Sequence, residues 1–409
     1  MKALIIGAGG VGRAIANIAS RRSFITELVI ADHNLSRAED AVSRLKDPRM
    51  SAALVNAAEL EDLRELIRKT KPDIVINAVD PRFVMPIFLA CEIENTNYLD
   101  MAMSLSRPHP DYPYSESGVK VGDEQFARDW NWSERKIFAL IGMGVEPGLS
   151  DVFAKYASDE LFSRIDSITV FDGSNLVVEG YEFAPSFSIW TTIEECLNPP
   201  LVWEDGRGWY TTEPFSELEV FDFPEGIGPV ECVNVEHEEV VLIPQKIEAK
   251  KVNFKYGLGE QFISILKTIQ MLGMDRTDTV EVHGVKVSPR DLLAASLPDP
   301  ATLGSRMSGK TCAGTLVKGL DKSGEPKAVY IYNVIDNAWS MENYGDQAVV
   351  WQTAINPVIA MELIHEGIWK PEHGVVGPEW FDSKPFLAKL EEYGTSWHVR
   401  DESIAGIVK

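Results

Sequence analysis

The stretch Lys2-Ala3-Leu4-Ile5-Ile6-Gly7-Ala8-Gly9-Gly10-Val11-Gly12 decides the fold. An apolar run of strand length meets a glycine turn, and Val11 to Arg21 then carries apolar residues at helical spacing. Gly7 permits the tight turn, and Gly9 lets the backbone approach a pyrophosphate. Gly10 and Val11 open a helix whose amides face the phosphates, and Gly12 lets helix and strand pack closely. Glu27 to Ala31 reads as a second strand. Asp32 ends it at the ~20-residue interval where a carboxylate accepts hydrogen bonds from the adenosine ribose hydroxyls. The expected cofactor is NAD, because Asp32 would repel a 2′-phosphate, with NADP as the alternative. Arg37 either softens that preference or is a solvated helix residue.

Outward from this motif the first third keeps alternating. Helices are predicted over Leu35 to Leu45 and Leu60 to Lys69, and a short apolar strand over Asp73 to Ala78 between Pro72 and Asp80. The order β-α-β-α-α-β calls for parallel strands with right-handed crossovers, a doubly wound Rossmann sheet. Asn77 and Ala78 end a strand at the edge where such sheets hold ligands, so Asn77 either touches the cofactor or simply terminates the strand.

After about Gly142 the pattern turns to strands, expected over Ile165 to Phe171, Glu217 to Phe223, Val230 to Val235, Val240 to Ile243 and Lys250 to Tyr256. Hairpins are expected at Gly206-Arg207-Gly208 and Lys322-Ser323-Gly324. Phe262, Ile265, Leu266, Ile269 and Leu272 mark a helix, Ser288-Pro289 starts another, and Gln347 to His365 and Lys384 to Tyr393 are helical. The fold class is therefore α/β, with a Rossmann domain expected over 1–148, a second, sheet-rich domain over 149–345, and a helical segment over 346–409.

With 62 acidic and 39 basic side chains the formal charge is -23. That repels nucleic acid and anionic membranes, and no apolar run approaches the ~20 residues needed to span a bilayer. Cys91, Cys196, Cys232 and Cys312 show no metal-binding spacing, so no metal is expected and the thiols read as reduced. The N-terminus lacks a signal-peptide pattern, and a cytoplasmic location is expected.

Gly304-Ser305-Arg306-Met307-Ser308-Gly309-Lys310-Thr311 matches the phosphate-binding P-loop expression letter for letter. The context refuses it, because Pro298-Asp299-Pro300 precedes it and Ala313 to Val317 leads into a hairpin rather than a helix. Arg306 and Lys310 are read instead as cations for a substrate carboxylate or as solvated loop residues.

Tyr98-Leu99-Asp100, the stretch Gly142-Met143-Gly144-Val145-Glu146-Pro147-Gly148-Leu149-Ser150-Asp151 and Thr353-Ala354-Ile355-Asn356-Pro357-Val358, taken with the glycine fingerprint, resemble the saccharopine dehydrogenase (saccharopine reductase-like) family. The resemblance implies an inserted α/β substrate domain on a mixed sheet that often dimerises, C-terminal helices returning to brace the Rossmann domain, and hydride transfer at a carbon bearing an amine. It implies a small amino-acid-like or opine-type substrate. Lysine 6-dehydrogenase-like and carboxynorspermidine dehydrogenase-like reductase activities are the alternatives. Such chemistry needs a general acid/base, for which Tyr98, Asp100 and Glu146 are the candidates, although Glu146 would equally cap a helix. Trp190 and Thr191 either line the substrate pocket or serve in packing. A non-catalytic NAD(P)-binding sensor is the competing class.

Overall fold

The computed structural model describes residues 1–407. Six strands of the N-terminal half, β1 (Lys2–Ile6), β2 (Glu27–Asp32), β3 (Met50–Leu54), β4 (Ile74–Asn77), β5 (Asn97–Asp100) and β6 (Phe138–Leu140), are all parallel. A seventh strand, Gly374–Val376, adds in parallel beside β6, and the order is Gly374–Val376, β6, β5, β4, β1, β2, β3. β1, β2 and β4 are buried almost throughout, as expected of parallel strands covered by helices on both faces. The reversal of strand order between β1 and β4 makes the crevice where doubly wound sheets place a ligand.

β3 is absent from the expected order. Met50-Ser51-Ala52-Ala53-Leu54 has little β-branched or aromatic character, and its extended state comes from pairing along β2.

The second sheet has nine strands, and its long central members are Phe162–Ser174, Lys310–Asp321 and Pro326–Asp336. Only the pairing of Phe162–Ser174 with Lys251–Gly257 is parallel, so the sheet is mixed. Both expected hairpins form, Leu201–Glu204 with Gly208–Thr211 and Lys310–Asp321 with Pro326–Asp336.

Two expectations need correction. Val240 to Ile243 is not a strand, because the chain turns there into the short helix Glu239–Leu242 and then a 3-10 turn. The 346–409 segment is not purely helical. Its Ala348–His365 helix packs on the Gly10–Ser20 helix, but Gly374–Val376 extends the first sheet and Trp397–Asp401 pairs with Pro326–Asp336 in the second. The chain therefore crosses between the two sheets three times.

The P-loop lookalike has no helix behind it. Gly304–Arg306 is a 3-10 turn, and Lys310 starts the long Lys310–Asp321 strand. Its glycines serve the fold. A Cβ on Gly304 would lie 2.5 Å from Met341 Sδ, and Gly309 has φ +107°. Asn337, fully buried, holds this turn in place by donating from Nδ2 to the carbonyls of Gly304 (3.0 Å) and Met307 (2.7 Å). Its Oδ1 accepts the Ala348 amide at 3.0 Å.

Candidate active site

Gly7 has φ +110°, and a Cβ there would meet the Ala78 carbonyl at 2.5 Å. One on Gly12 would come within 1.9 Å of the Gly7 carbonyl, whereas one on Gly9 would meet nothing within 4 Å. Gly7 and Gly12 are thus confined by their own fold, and Gly9 faces open space at the start of the Gly10–Ser20 helix, as a residue against a pyrophosphate must. Asp32 Oδ2 accepts the Ala8 amide at 2.8 Å and Oδ1 the Asn34 amide at 2.9 Å, so this carboxylate ties the end of β2 to the glycine turn. An ionised carboxylate accepts about four hydrogen bonds, which leaves capacity for ribose hydroxyls. These residues fit a dinucleotide.

From this loop a cavity of about 540 Å³ runs between the two sheets. The first sheet supplies Gly10 and Val11, Asn77 to Pro81 after β4, Met101 and Ala102 after β5, and Val145 to Pro147 after β6. These are the carboxyl edges of neighbouring parallel strands, where the fold directs ligands. The second domain supplies Asp172 from Phe162–Ser174, Trp190, Thr191 and Glu195 from the Ile189–Leu197 helix, His237 and Glu238, and Tyr256. Asp299 to Ala301 and the start of the Ala348–His365 helix close over Gly10, whose Cβ position lies 3.3 Å from Ala301 and Val350 side chains.

The expected catalytic residues separate. Glu146 lines the cavity, but Tyr98 and Asp100 lie behind it, fully buried. The Tyr98 ring packs against Phe88 and Trp132, and its hydroxyl accepts from Asn77 Nδ2 at 2.9 Å. Asp100 Oδ1 accepts the Gly142 amide at 2.7 Å and Oδ2 accepts from Gln125 at 2.8 Å. Burial raises its pKa to about 7. Its role is to hold the loop that carries Glu146. Nor does Glu146 cap a helix: the next one, Leu149–Tyr156, has Gly148 as its N-cap, and Asp151 Oδ2 accepts the Gly148 amide at 2.8 Å.

Arg306 and Lys310 lie outside the cavity. Arg306 is exposed, and Lys310 Nζ donates to the Glu225 carbonyl at 3.1 Å. Neither meets a substrate carboxylate there. Trp190 and Thr191 do line the cavity. Trp190 is held from outside, with Arg82 and Arg290 guanidiniums 4.3 and 4.7 Å over its ring and its Nε1 donating to Asp291 at 3.2 Å.

The residue that sequence reasoning missed is His237. Its ring stacks on Phe254 at 3.9 Å, and Nδ1 lies 2.5 Å from Glu239 Oε2 and 3.4 Å from Glu238 Oε2. Burial, the largest influence, lowers its pKa, but the Glu239 and Glu238 carboxylates overcome it and raise the value to about 10. With Nδ1 committed to Glu239, Nε2 is the nitrogen left for a substrate. Glu239 Oε1 in turn accepts from Ser150 Oγ at 2.8 Å, fixing the pair. His237, Glu238 and Glu239 also bring ligand atoms within 4.8 Å of one another, a spacing a metal ion would accept. The sequence signal was Glu236-His237-Glu238-Glu239 set between Val233-Asn234-Val235 and Val240-Val241-Leu242, an ionisable run inside apolar sequence.

Residues 3–140 match the saccharopine dehydrogenase NADP binding domain, and residues 144–395 the saccharopine dehydrogenase C-terminal domain. A carboxynorspermidine synthase of Vibrio alginolyticus is 32% identical over 417 residues, covering 98% of this chain and 97% of its own. A carboxyaminopropylagmatine dehydrogenase of Synechocystis is 30% identical over 404 residues, covering 97% of both chains. The apo saccharopine dehydrogenase (L-Glu forming) of Saccharomyces cerevisiae superposes with a TM-score of 0.70 at 14% identity, covering 98% of this chain and all of its own. With its two-sheet fold, glycine fingerprint and interdomain cavity, the chain belongs to the saccharopine dehydrogenase family and is an NAD(P)-dependent oxidoreductase.

Proposed function

We propose that the enzyme reductively joins a cationic amine to a small carbonyl compound in the interdomain cavity, with NAD(H) as the cofactor. One observation carries this reading. Among the described residues, the lining includes the carboxyl groups of Asp80, Glu146, Asp172, Glu195, Glu238 and Asp299 but no lysine or arginine. Such a surface attracts an ammonium and repels a polycarboxylate such as saccharopine. The relatives' names denote carboxylated norspermidine and agmatine compounds, amines of the charge this cavity suits.

The amine arrives as an ammonium and must lose a proton before its nitrogen attacks the carbonyl carbon. The cavity carboxylates stabilise the cation and take that proton. The C–N bond forms as the C=O π pair moves to oxygen, giving a carbinolamine. His237, protonated at neutral pH, gives its proton to the departing hydroxyl, which leaves as water as the nitrogen lone pair forms an iminium. A dinucleotide held by the Gly7–Gly12 turn and Asp32 would, when bound, supply the hydride that reduces this cation to a secondary amine. His237 is the one ring among the described lining residues that carries positive charge, so it also faces any carboxylate on the carbonyl partner.

Preference for NAD over NADP rests on Asp32, buried beside the glycine turn. A homodimer belongs to the same reading, since the 259–296 segment exposes Met271, Leu272, Val285 and Leu292. The four free, buried cysteines fit a reducing cytoplasm. The decisive experiment follows NADH and NADPH oxidation with diamines, monoamines, lysine and glutamate, each paired with amino-acid semialdehydes, and the reverse reaction with saccharopine. Turnover with amine cations supports the reading. Turnover confined to saccharopine, or faster turnover with NADPH, contradicts the corresponding part.

A further inference from the structure

Glu146, on the loop after β6, and Asp172, on Phe162–Ser174, both line the cavity, close enough that each carboxyl group shifts the titration of the other. Two carboxyl groups in such contact hold one proton between them, because both cannot be ionised at close range out of water. Glu146 Oε1 is buried with no hydrogen-bond partner. Glu195 faces the same space from the Ile189–Leu197 helix. His237 is the one cation among the described lining residues that acts on this end of the cavity, and its charge is already shared with Glu239. A floor of three carboxyl groups with an unused acceptor suits a donor that brings its own positive charge.

Resting on the proposed reductive amination, we infer that the Glu146–Asp172 pair, backed by Glu195, is the subsite for the far ammonium of a substrate amine carrying two positive charges, and that this ammonium displaces the pair's shared proton into solvent. No covalent bond changes. One N⁺–H donor replaces one O–H donor, and the two carboxylates then share the ammonium. The subsite selects diamines over monoamines of equal length, because a methyl group there makes no hydrogen bond and leaves Glu146 Oε1 buried without a partner.

Burial raises both groups, Asp172 to about 7 and Glu146 well above the usual carboxylate range. The other titratable groups facing them are His237, Glu238 and Glu239 beside the Glu239–Leu242 helix, Glu195 and Cys196 on the Ile189–Leu197 helix, and Tyr256, Cys232, Cys312 and Tyr330 on the surrounding strands. Glu239 and Glu195 add to the retention of the shared proton, and His237 opposes it. Diamine affinity should therefore rise with pH through 7.

The test is calorimetric titration of the NAD-loaded full chain with 1,4-diaminobutane and with 1-aminobutane, each in two buffers of different ionisation heat. The diamine should bind roughly tenfold tighter or more, the worth of one hydrogen bond to a charged group, and release a large part of one proton. Glu146→Gln and Asp172→Asn should shrink that preference to about threefold or less and abolish the release. Equal binding of the two amines by the unaltered protein, or diamine binding without proton release, overturns the subsite, and neither measurement needs a variant to fold. The amination reading fails separately, if no amine and aldehyde pair is turned over. Equal turnover of monoamine and diamine would keep amination and discard the subsite.

Discussion

His237 shows how one side chain acquires a function from its neighbours. An isolated imidazole would be mostly neutral at pH 7, but the 2.5 Å contact with Glu239 and the nearby Glu238 hold the proton on it up to about pH 10. His237→Gln keeps a donor of similar reach and removes the transferable proton. The expected outcome is a fall in kcat of ~10²-fold or more, as for other positioned acids, with NAD affinity retained. In the unaltered enzyme kcat should decline as pH rises through about 10, where the donor is lost, and the variant should lack that limb. A variant with normal kcat, measured by NADH oxidation on the identified substrates, removes His237 from the reaction. At this scale the sequence was legible where a residue's reason is local. Gly7 and Gly12 are dictated by contacts within the turn that contains them. His237 was passed over, because Glu238 and Glu239 beside it follow no fixed catalytic spacing, and only the fold stacks it on Phe254 and turns it to a cavity whose other wall carries Gly10, Asn77 and Val349.

Among elements, local propensity and tertiary demand part company in a few places. Val240-Val241-Leu242-Ile243 has a strand composition, yet Glu238 and Glu239 precede it as acids at a helix start and the segment folds as Glu239–Leu242. Met50–Leu54 shows the opposite, a poor strand sequence made extended by its neighbour. The long helices and the hairpins were readable because period and turn residues agreed there. Between elements, Asn337 joins the 304–307 turn, its own helix and the start of the Ala348–His365 helix through three buried hydrogen bonds. Asn337→Ala leaves the Ala348 amide unpaired away from water and takes a hydrogen bond from the carbonyls of Gly304 and Met307, of which Gly304 still accepts the Met307 amide. The expected loss is about 2–4 kcal/mol, at ~1–3 kcal/mol for each unsatisfied buried group with partial relaxation. Urea unfolding followed by tryptophan fluorescence measures it, and a change under ~0.5 kcal/mol, the size of an ordinary surface substitution, refutes the bracing role.

For the whole molecule, the number of buried acids sets the pH response. Burial raises Asp100, Asp172 and Glu236 to about 7 and Glu195 and Glu379 to about 8. A carboxyl group whose folded pKa exceeds its unfolded value, ~4, contributes stability that is complete below ~4 and is lost as pH rises through the folded value. His237, raised to about 10, acts in the same direction, losing its contribution between its unfolded value and about 10. Carboxylates held low by basic partners, such as Asp47 and Glu362, weaken the fold only at lower pH still. The protein is therefore expected to have a higher Tm at pH 6 than at pH 8, at constant ionic strength, by differential scanning calorimetry. An equal or lower Tm at pH 6 contradicts the burial of these acids. The two-domain plan was legible from the motif and the change of texture near Gly142. The later passages between sheets were not, because Trp397–Asp401 depends on Pro326–Asp336 for its pairing, and Gly374–Val376 is too short to announce itself and depends on β6.

That short strand has a consequence in time. β1 to β6 are complete by Leu140, yet the free edge of β6 finds its partner only when Gly374–Val376 exists, and Pro326–Asp336 waits for Trp397–Asp401. At about 5–20 residues per second, a ribosome needs roughly 12–47 s to go from Leu140 to Gly374, the start of the seventh strand of the first sheet. During that interval the nascent Rossmann half carries an open edge of unpaired amides and carbonyls, the kind of template on which other chains pair. Closure of the first sheet thus waits for the synthesis of the whole second sheet's central strands, and the edge of β6 stays open to other chains until Gly374–Val376 has been made.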